Sequence, residues 1–325
     1  MHICLKTHNK RSKILNNDNL NLPYYGFSEY LKQRYGERTY KLPVNLPAGC
    51  PNRDGRVATG GCIFCGEEGA GFELLPSFLP VREQLLKNKE YIGKKYNVQK
   101  FIAYFQNYSN TYFPYKVFCE YISQAIIPDV VAIYISTRPD CIYPEHMQFL
   151  KDMKEKTGVD ITLEIGLQSI NNETLKFLNR GHTVEDFFQA VERVKGYGLD
   201  VCAHVIQDLP MDTVEDIACC ADQLSSAGVH QVKCHSLYIL DGTVLGDLYQ
   251  QGRFQVLPLE DFIKRTGVFL SHLDPSVVVQ RLISRAPKER TLYCNHSTGW
   301  WKVHDMILEY MTKEGLSQGC SYQKP

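Results

Sequence analysis

Short apolar, β-branched runs recur along the chain at intervals of about thirty residues, which is the length of one strand–helix unit. Helix-like patterns lie between these runs, and the alternation of strands and helices indicates a parallel sheet with right-handed crossovers. Six such units predict a barrel, closed or partial. The predicted strands are residues 40–46, 101–106, 130–136, 161–167, 201–207 and 229–238.

The clearest helix pattern covers residues 183–195. Thr183 and Asp186 form a capping-box start, apolar residues follow at helical spacing, and Gly196 ends the pattern. Further helices are predicted at 27–35, 259–272 and 300–312, with one late strand at 277–283. The thirty-residue rhythm breaks near residue 241. We therefore expect an N-terminal leader (1–37), a core barrel (38–241) and a small C-terminal α/β extension (242–325).

Polar residues follow most of the predicted strands, where a barrel of this kind carries its functional groups. Side chains two positions apart share a face of a strand. This places Glu164, Gly166 and Gln168 on one face, and it does the same for two further sets, His204, Ile206 and Asp208, and Lys233, His235 and Leu237. Because buried parallel strands are usually apolar throughout, polar faces predict a lined cavity inside the barrel.

Charge and hydropathy exclude some classes of function. Lys+Arg and Asp+Glu are both 36 and the pI is near 7.1, so no global attraction to nucleic acid or to an anionic membrane is expected. Local basic groups still leave RNA open as a substrate: Lys10, Arg11, Lys13; Lys94, Lys95; Arg281, Arg285, Lys288, Arg290. No apolar run approaches the roughly 20 residues that a membrane helix requires. A polar amino terminus and twelve cysteines favour a cytoplasmic location without a membrane partner.

Three of these cysteines, Cys50, Cys62 and Cys65, fall in one glycine-bearing stretch after the first predicted strand. Cysteine thiolates are the usual ligands of iron–sulfur clusters, and three ligands leave one iron of a four-iron cluster open. A structural zinc ion needs a fourth ligand, which residues 66–100 do not offer, although a distant residue could supply it. The remaining cysteines are interpreted mainly as small buried hydrophobes, with a second cluster on Cys202, Cys219, Cys220 and Cys234 as the alternative.

Several motifs, taken in order, resemble the radical S-adenosylmethionine (SAM) enzymes, in the branch of the Elongator catalytic subunit and most nearly the bacterial YhcC group. The resemblance extends from about residue 24 to the carboxyl end. It departs from the common pattern in its longer cysteine spacing, and Gln106 to Asn110 replace the usual Gly-Gly-Glu after the second strand. The matching segments are residues 50–55 with Cys62 and Cys65, 103–112, 136–141, 163–169 and 179–183.

The resemblance implies a partial (β/α)6 TIM-like barrel of the radical SAM type. It also implies a [4Fe-4S] cluster on Cys50, Cys62 and Cys65, with SAM bound to the open iron through its amino and carboxylate groups. One electron, from a donor such as flavodoxin or ferredoxin, would cleave SAM to a 5′-deoxyadenosyl radical that abstracts a substrate hydrogen. The substrate is left open among small molecules, proteins and RNA.

The same resemblance guides the expected cofactor contacts. Arg180 is expected to bind the SAM carboxylate, because a guanidinium matches a carboxylate bidentately. The other expected cofactor residues are Phe64 as a shield of the cluster, Gln106 and Asn110 after the second strand, Asp140 and Gln168 at the ribose, and Asp208 at the ribose or adenine. Lys233 and His235 are expected to contact substrate. The alternative function is a non-catalytic iron–sulfur module for electron transfer or metal sensing, which would supply a fourth ligand and ignore SAM.

Overall fold

Seven parallel strands form the main sheet of the protein, in the order β1-β2-β3-β4-β5-β6-β8. The computed structural model describes residues 22–66, 74–287 and 289–324. A second, two-stranded antiparallel sheet pairs β7 with β9. The strands are β1 (Thr39–Val44), β2 (Lys100–Phe105), β3 (Val130–Thr137), β4 (Asp160–Gln168), β5 (Asp200–Ile206), β6 (Gln231–His235), β7 (Tyr238–Leu240), β8 (Val278–Arg281) and β9 (Thr291–Cys294).

Helices alternate with these strands, and most of them cover the outer face of the sheet. They are α1 (Phe27–Tyr35), α2 (Val81–Tyr96), α3 (Tyr115–Ser123), α4 (Pro144–Thr157), α5 (Asn172–Phe177), α6 (Val184–Gly196), α7 (Val214–Ser226), α8 (Val244–Gln250), α9 (Leu259–His272) and α10 (Trp300–Lys313). The largest apolar core lies between the sheet and this helical layer. Within the described ranges, no helix combines the length and apolar character needed to cross a membrane.

The sheet curls into a partial barrel, as contacts across its interior show. Lys41 of β1 donates to Gln280 of β8 at 2.7 Å, although β1 and β8 are the two edges of the sheet. Lys233 of β6 likewise reaches the hydroxyl of Tyr104 on β2 at 2.6 Å. The predicted α/β partial barrel is therefore confirmed, with seven parallel strands where six repeating units were expected.

Most predicted elements coincide with the observed ones. Helix α1 has the predicted bounds, and the capping box of Thr183 and Asp186 starts α6. The predicted strand 229–238 is divided into β6 and β7, because the chain leaves the main sheet after His235. Strand β8, predicted as part of the extension, pairs with β6 and completes the main sheet. The predicted domain boundary at residues 241 and 242 therefore cuts through this sheet.

Helix α1 covers the amino-terminal mouth of the barrel. Arg34 and Tyr35 bond to Asp160 at the start of β4, and Leu31 packs with the apolar residues that line the lower interior. The chain just before α1 is tied to the last strand, since Val279 donates its backbone N–H to Tyr25 at 2.9 Å. Gln318 joins the same segment, where its N–H reaches the carbonyl of Pro23 at 2.8 Å. The carboxyl ends of the strands, at the other mouth, carry the predicted site.

Candidate active site

The three cysteines of the predicted ligand set lie on one folded loop after β1. Cys50 and Cys65 are partly exposed and Cys62 is buried, and all three are free thiols. The loop folds on itself: the Arg53 N–H donates to the Cys50 carbonyl at 2.8 Å, and the Cys65 N–H donates to the Cys62 carbonyl at 3.0 Å. Gly61 has a φ of 79°, and a Cβ there would lie 2.9 Å from the Arg53 side chain, so this turn requires glycine.

The loop is held against the turn that joins α5 to α6. The Asn52 amide donates to the carbonyl of Asn179 at 2.6 Å, and the Asn179 amide donates in return to the carbonyl of Gly61 at 2.7 Å. Gly181 has a φ of 68°, and a Cβ there would lie 2.4 Å from Asn52 Oδ1. The sequence Asn-Arg-Gly at 179–181 thus serves as a close-fitting support for the cysteine loop.

Arg180 directs its guanidinium at the loop and the sheet. Its NH1 donates to Cys62 Sγ at 3.2 Å, its NH2 to the carbonyl of Gly166 at 3.0 Å, and its Nε to His182 Nε2 at 3.1 Å. Burial and then the charge of Arg180 lower the pKa of His182 to about 2, so this imidazole is neutral and accepts the Nε proton. All three guanidinium nitrogens therefore have protein partners, one of which is the buried thiol.

Asp140 and Asn110, two further predicted cofactor residues, lie at the ends of neighbouring strands. Arg138 binds the Asp140 carboxylate through two bonds of 2.9 and 3.1 Å. The Asn110 amide donates to three backbone carbonyls, among them Ser136 at 3.0 Å, and so joins the ends of β2 and β3. Gln106 continues β2 and donates its backbone N–H to Val44 at 3.4 Å.

Unpaired polar atoms gather at this mouth of the barrel. Within the described residues, several buried side-chain atoms have no hydrogen-bond partner after β2, β3 and β5: Asn107 Oδ1, Ser109 Oγ, Asn110 Oδ1, Arg138 NH1 and Gln207 Oε1. Buried polar atoms are normally paired, so their concentration at one mouth fits a polar ligand such as SAM. The thiol set with an arginine donor fits an iron–sulfur cluster, whose sulfurs accept hydrogen bonds.

The remaining predicted cofactor residues lie around the same mouth. Gln168 ends β4 with a φ of 77°, and its side chain packs over Gly166, where a Cβ would lie 2.6 Å from its amide nitrogen. Phe64 is partly buried and packs on an apolar cluster with Leu178 and Ile206. Asp208 is buried and accepts the N–H of Leu237 at 2.7 Å, and burial raises the pKa of its carboxyl to about 7.

Below this mouth, polar side chains from five strands meet in the barrel interior. Their centre is Glu164, which accepts from Lys41 at 2.7 Å, from Lys233 at 2.9 Å and from His204 at 2.9 Å. His235 contacts His204 at 3.3 Å and Arg281 at 2.7 Å. We call these six residues, Lys41, Glu164, His204, Lys233, His235 and Arg281, the interior charge cluster. The predicted cavity-facing residues Glu164, His204, Lys233 and His235 are therefore brought together.

Ionisation in the interior charge cluster follows from burial and pairing. Burial opposes charge on the Glu164 carboxyl, but Lys233 and Lys41 overcome this and hold its pKa well below the usual range. Burial, together with the charge of Lys233, lowers the pKa of His204 to about 4. Burial and then Arg281 hold the pKa of His235 well below its usual range. The carboxyl is ionised and both imidazoles are neutral at neutral pH.

The spacing of the thiols in the cysteine loop differs from the spacing of ligands around a single metal ion. Ligands of one zinc ion at about 2.3 Å lie within about 4 Å of each other. Among the described residues, one set of three or more His, Cys, Asp or Glu ligand atoms lies within 4.8 Å, namely Glu164, Cys202 and His204. Cys50, Cys62 and Cys65 do not form such a set, so their three sulfurs do not all lie within 4.8 Å of one another. Burial and then the nearby Cys62 raise the pKa of Cys65. The loop therefore does not present the three thiols as ligands preassembled around one zinc ion.

The four cysteines considered for a second cluster do not converge. Cys202 shares the inward face of β5 with His204, whereas Cys234 faces outward because it alternates with Lys233 and His235. Cys219 is exposed on α7. A second cluster on this set is therefore excluded by the geometry.

Sequence reasoning missed several residues of the site. Asn52 and Arg138 lie within the matching segments, but the sequence pattern assigns neither a role. The position of Lys41 inside an apolar strand is a signal that could identify it. The sequence predicts Arg281 as part of a basic surface group, but Arg281 points into the barrel towards His235, because it lies on the inward face of β8. Of that group, Lys288 lies outside the described residues, as do Lys10, Arg11 and Lys13.

Comparison with protein-family models gives two matches. The model described as the Radical SAM superfamily matches residues 44–224, and the model described as the Radical_SAM C-terminal domain matches residues 229–313. Together they cover the strands from the last residue of β1 to β9 and the whole of α10.

Relatives match nearly the whole chain. The uncharacterized protein MJ0486 of Methanocaldococcus jannaschii is 32% identical over 297 residues, which are 90% of this chain and 90% of that protein. Protein YhcC of Escherichia coli K12 is 28% identical and covers 92% of this chain and 95% of YhcC. The tRNA uridine(34) acetyltransferase of Methanocaldococcus infernus is 28% identical over 58% of this chain, and the match spans 35% of that enzyme.

A solved structure has the same fold. It is the archaeal Elp3 of Methanocaldococcus infernus with an N-terminal deletion, with a TM-score of 0.62 and 19% identity. The match covers 86% of this chain and 64% of the Elp3 chain. The expected branch and the expected group are both confirmed by these relatives and this neighbour.

Proposed function

The chain belongs to the radical SAM superfamily, and on that premise we propose that it is an enzyme that binds a [4Fe-4S] cluster through Cys50, Cys62 and Cys65 and cleaves SAM reductively. The observation that carries this proposal is the cysteine loop itself. Three free thiols lie at the carboxyl ends of the strands, one of them paired with a guanidinium, beside a concentration of unpaired buried polar atoms.

When bound, the reduced cluster would supply one electron to SAM, giving methionine and a 5′-deoxyadenosyl radical that removes a hydrogen atom from the substrate. The protein supplies position and electrostatics. Arg53 stiffens the cysteine loop by donating to the carbonyls of Cys65 and Gly66 at 2.9 and 2.6 Å. Arg180 donates to Cys62 Sγ and stabilises negative charge on that sulfur.

The polar atoms at the strand ends would orient SAM. Arg138 offers a buried N–H without a partner, and Asn107 and Asn110 offer unpaired carbonyl oxygens, so acceptors and donors are both available. Asp140, Gln168 and Asp208 remain the proposed contacts to ribose and adenine, and Gln106 and Phe64 remain proposed neighbours of the cofactors. For Arg180 to bind the SAM carboxylate, as the resemblance implies, one of its three present partners would have to be exchanged.

A small substrate is favoured over RNA by the distribution of charge. The printed names of two relatives concern tRNA or Elp3, which keeps RNA as the second candidate. Among the described basic residues, however, Lys94 pairs with Glu90 at 2.7 Å and Arg281 is directed inward. The proposed basic groups therefore do not form one continuous surface for RNA. The cationic side chains inside the barrel are placed to contact a molecule small enough to enter it.

Radical SAM chemistry needs a reductant, for which we propose a flavodoxin or ferredoxin. A cytoplasmic location belongs to the same proposal, because such donors and reduced thiols share that compartment.

Anaerobic reconstitution tests the proposed function. The full chain is reconstituted with iron and sulfide, SAM and dithionite are added, and 5′-deoxyadenosine and methionine are quantified. The expected result is formation of both products by the wild type. A cluster that assembles while SAM remains intact and leaves the cluster spectrum unchanged would favour the non-catalytic iron–sulfur module instead.

Cysteine variants assign the ligands. Replacement of Cys50, Cys62 or Cys65 by Ala is expected to abolish cluster assembly and SAM cleavage. Cys119, which is partly buried on α3 and away from the loop, provides the matched control, and Cys119→Ala should retain both. Zinc bound in place of iron, or full iron loading in any of the three loop variants, would contradict the assignment.

A further inference from the structure

The interior charge cluster contains more cationic than anionic groups. Lys41, Lys233 and Arg281 bring three cationic side chains, whereas Glu164 is the one carboxylate within the cluster. Glu164 already pairs with both lysines. Among the described residues no carboxylate lies within ion-pair distance of Arg281, and its Nε is buried without a partner. The guanidinium thus has a donor that an added acceptor would satisfy.

A single chain of hydrogen bonds connects Arg281 to Glu164. Arg281 donates to His235 Nδ1 at 2.7 Å, which leaves the Nε2 proton of His235 for His204 Nδ1 at 3.3 Å. His204 in turn donates from Nε2 to Glu164 at 2.9 Å. Both imidazoles are neutral in this arrangement and add no negative charge. The chain holds the Arg281 side chain in place without neutralising it.

The same geometry disfavours a cation. Glu164, Cys202 and His204 have ligand atoms within 4.8 Å of one another, which resembles a metal site. However, both oxygens of Glu164 accept hydrogen bonds from lysine ammonium groups, at 2.7 Å from Lys41 and 2.9 Å from Lys233, so an added cation would lie beside two positive charges. Coulomb repulsion at such distances in a buried site opposes binding of a metal ion and favours an anion.

The cluster is accessible to solvent and close to the proposed cofactor site. The side chains of Lys41 and His204 remain 20% and 14% exposed, although Glu164 between them is fully buried, so a solvent-accessible space, here called the cavity, adjoins these two side chains. Glu164 and Gly166 share a face of β4 and lie about 6.6 Å apart along the strand. The Gly166 carbonyl accepts from Arg180, which also contacts Cys62. The cavity is therefore one layer below the cysteine loop.

We propose that this cavity binds the anionic group of a small substrate, a carboxylate or a phosphate, through Arg281 with Lys233 and Lys41. This proposal rests on the proposed radical SAM function and adds the class of substrate to it. An anion there would pair with the free donor of Arg281 and balance the excess positive charge. The neutral part of the substrate would then extend from the cavity towards the cysteine loop, where hydrogen abstraction is proposed.

Thermal unfolding of the anaerobically reconstituted full chain tests the proposal, with inorganic phosphate and succinate as probes at constant ionic strength. At a concentration about tenfold above the dissociation constant, either anion should raise the Tm of the wild type by about 2 °C. Arg281→Met should lose this rise. Arg285→Met is the matched control, because Arg285 is exposed and stacks on Trp300 at 4.4 Å, and it should keep the rise.

The individual outcomes distinguish the sources of the anion. A rise with phosphate alone, or with succinate alone, identifies the group. Absence of any rise with both probes overturns the proposal, as does a rise that Arg281→Met retains. A rise that saturating SAM abolishes also overturns it, because the site would then be that of the SAM carboxylate. Protection by an RNA oligonucleotide but by neither small anion would overturn it in favour of RNA.

A second variant and a parallel activity assay make the test conclusive if Arg281→Met is unstable or the proposed function is wrong. If Arg281→Met does not unfold cooperatively, Arg281→Lys replaces it and should show at least a threefold weaker apparent affinity for the anion, about 0.7 kcal/mol, because it lacks the guanidinium fork. SAM cleavage, measured in parallel, tests the proposed function separately. Cleavage without anion protection overturns this inference alone, whereas protection without cleavage overturns the proposed function and leaves the anion site standing.

Discussion

Replacing Arg180 with Met should make the reduction potential of the proposed cluster more negative. Arg180 NH1 donates to Cys62 Sγ at 3.2 Å, and a nearby guanidinium stabilises the reduced state of the cluster, which carries one more negative charge. Methionine has a similar length and no donor, so the sulfur loses this interaction while the space remains filled. Arg180→Lys retains the charge and should fall between the wild type and Arg180→Met.

The magnitude follows from the bond that is lost. A hydrogen bond to a charged group contributes about 1.5–3 kcal/mol, and the oxidised cluster also benefits from it. If about half of that energy distinguishes the two oxidation states, the difference is about 0.8–1.5 kcal/mol. For a one-electron couple this corresponds to about 30–65 mV.

An anaerobic potentiometric titration followed by electron paramagnetic resonance measures this shift in the absence of SAM. Arg193→Met is the control for loss of an arginine, because Arg193 is exposed on α6 and donates to a backbone carbonyl, that of Ile142 at 2.9 Å, rather than to a thiol. Its potential should equal that of the wild type. A midpoint for Arg180→Met within about 10 mV of the wild type, or a more positive one, would refute the reasoning. SAM affinity, measured separately, should fall in Arg180→Met if this side chain also binds the carboxylate.

Three further predictions follow from the packing and ionisation of the site. Gly181→Ala places a Cβ 2.4 Å from Asn52 Oδ1 and should reduce iron content several-fold, whereas Gly158→Ala, with a similar φ of 70° but open space, should cost about 1 kcal/mol of stability and keep the iron. Burial raises the pKa of Asp208 to about 7, against an ordinary value of 3.8, so the unfolded chain loses this proton at a lower pH than the folded chain does. The free energy of unfolding should therefore decrease as the pH rises from 4 to 7, by about 4 kcal/mol at most. Urea titrations at pH 5 and 8 should show this decrease in the wild type and not in Asp208→Asn. Glu164→Leu leaves two lysines without their carboxylate and should lower the free energy of unfolding by about 3–5 kcal/mol, and an unchanged urea midpoint would contradict the pairing.

The order of strands and helices could be predicted from local pattern alone, because each unit carries its own start and stop signals. The capping box of Thr183 is one example, and the bounds of α1 and α9 are others. Strand parity also predicted that Glu164, His204 and Lys233 face one cavity. Parity depends only on the alternation of side chains within a strand and needs no knowledge of long-range register.

The sequence could not predict contacts that depend on how distant strands and loops pair with each other. Strand β8 comes after the repeating rhythm has ended, and its pairing with β6 shifts between Val232 and Lys233. That irregularity brings Arg281 beside Lys233 and His235, which no local pattern encodes. The contact of Arg180 with Cys62 could not be predicted either, because 118 residues separate the two in sequence. Only the packing of two loops against each other brings them together.

The hydrogen bonds that join the segment before α1 to Val279 and Gln318 affect how the protein folds during synthesis. Val279 and Gln318 hold residues 23–25, so the segment before the first described helix forms these bonds only after residue 318 has left the ribosome. Until then the apolar underside of the half-built barrel remains uncovered. Such late, distant pairing slows folding and prolongs exposure to aggregation, which makes this stage the one at which a chaperone would act.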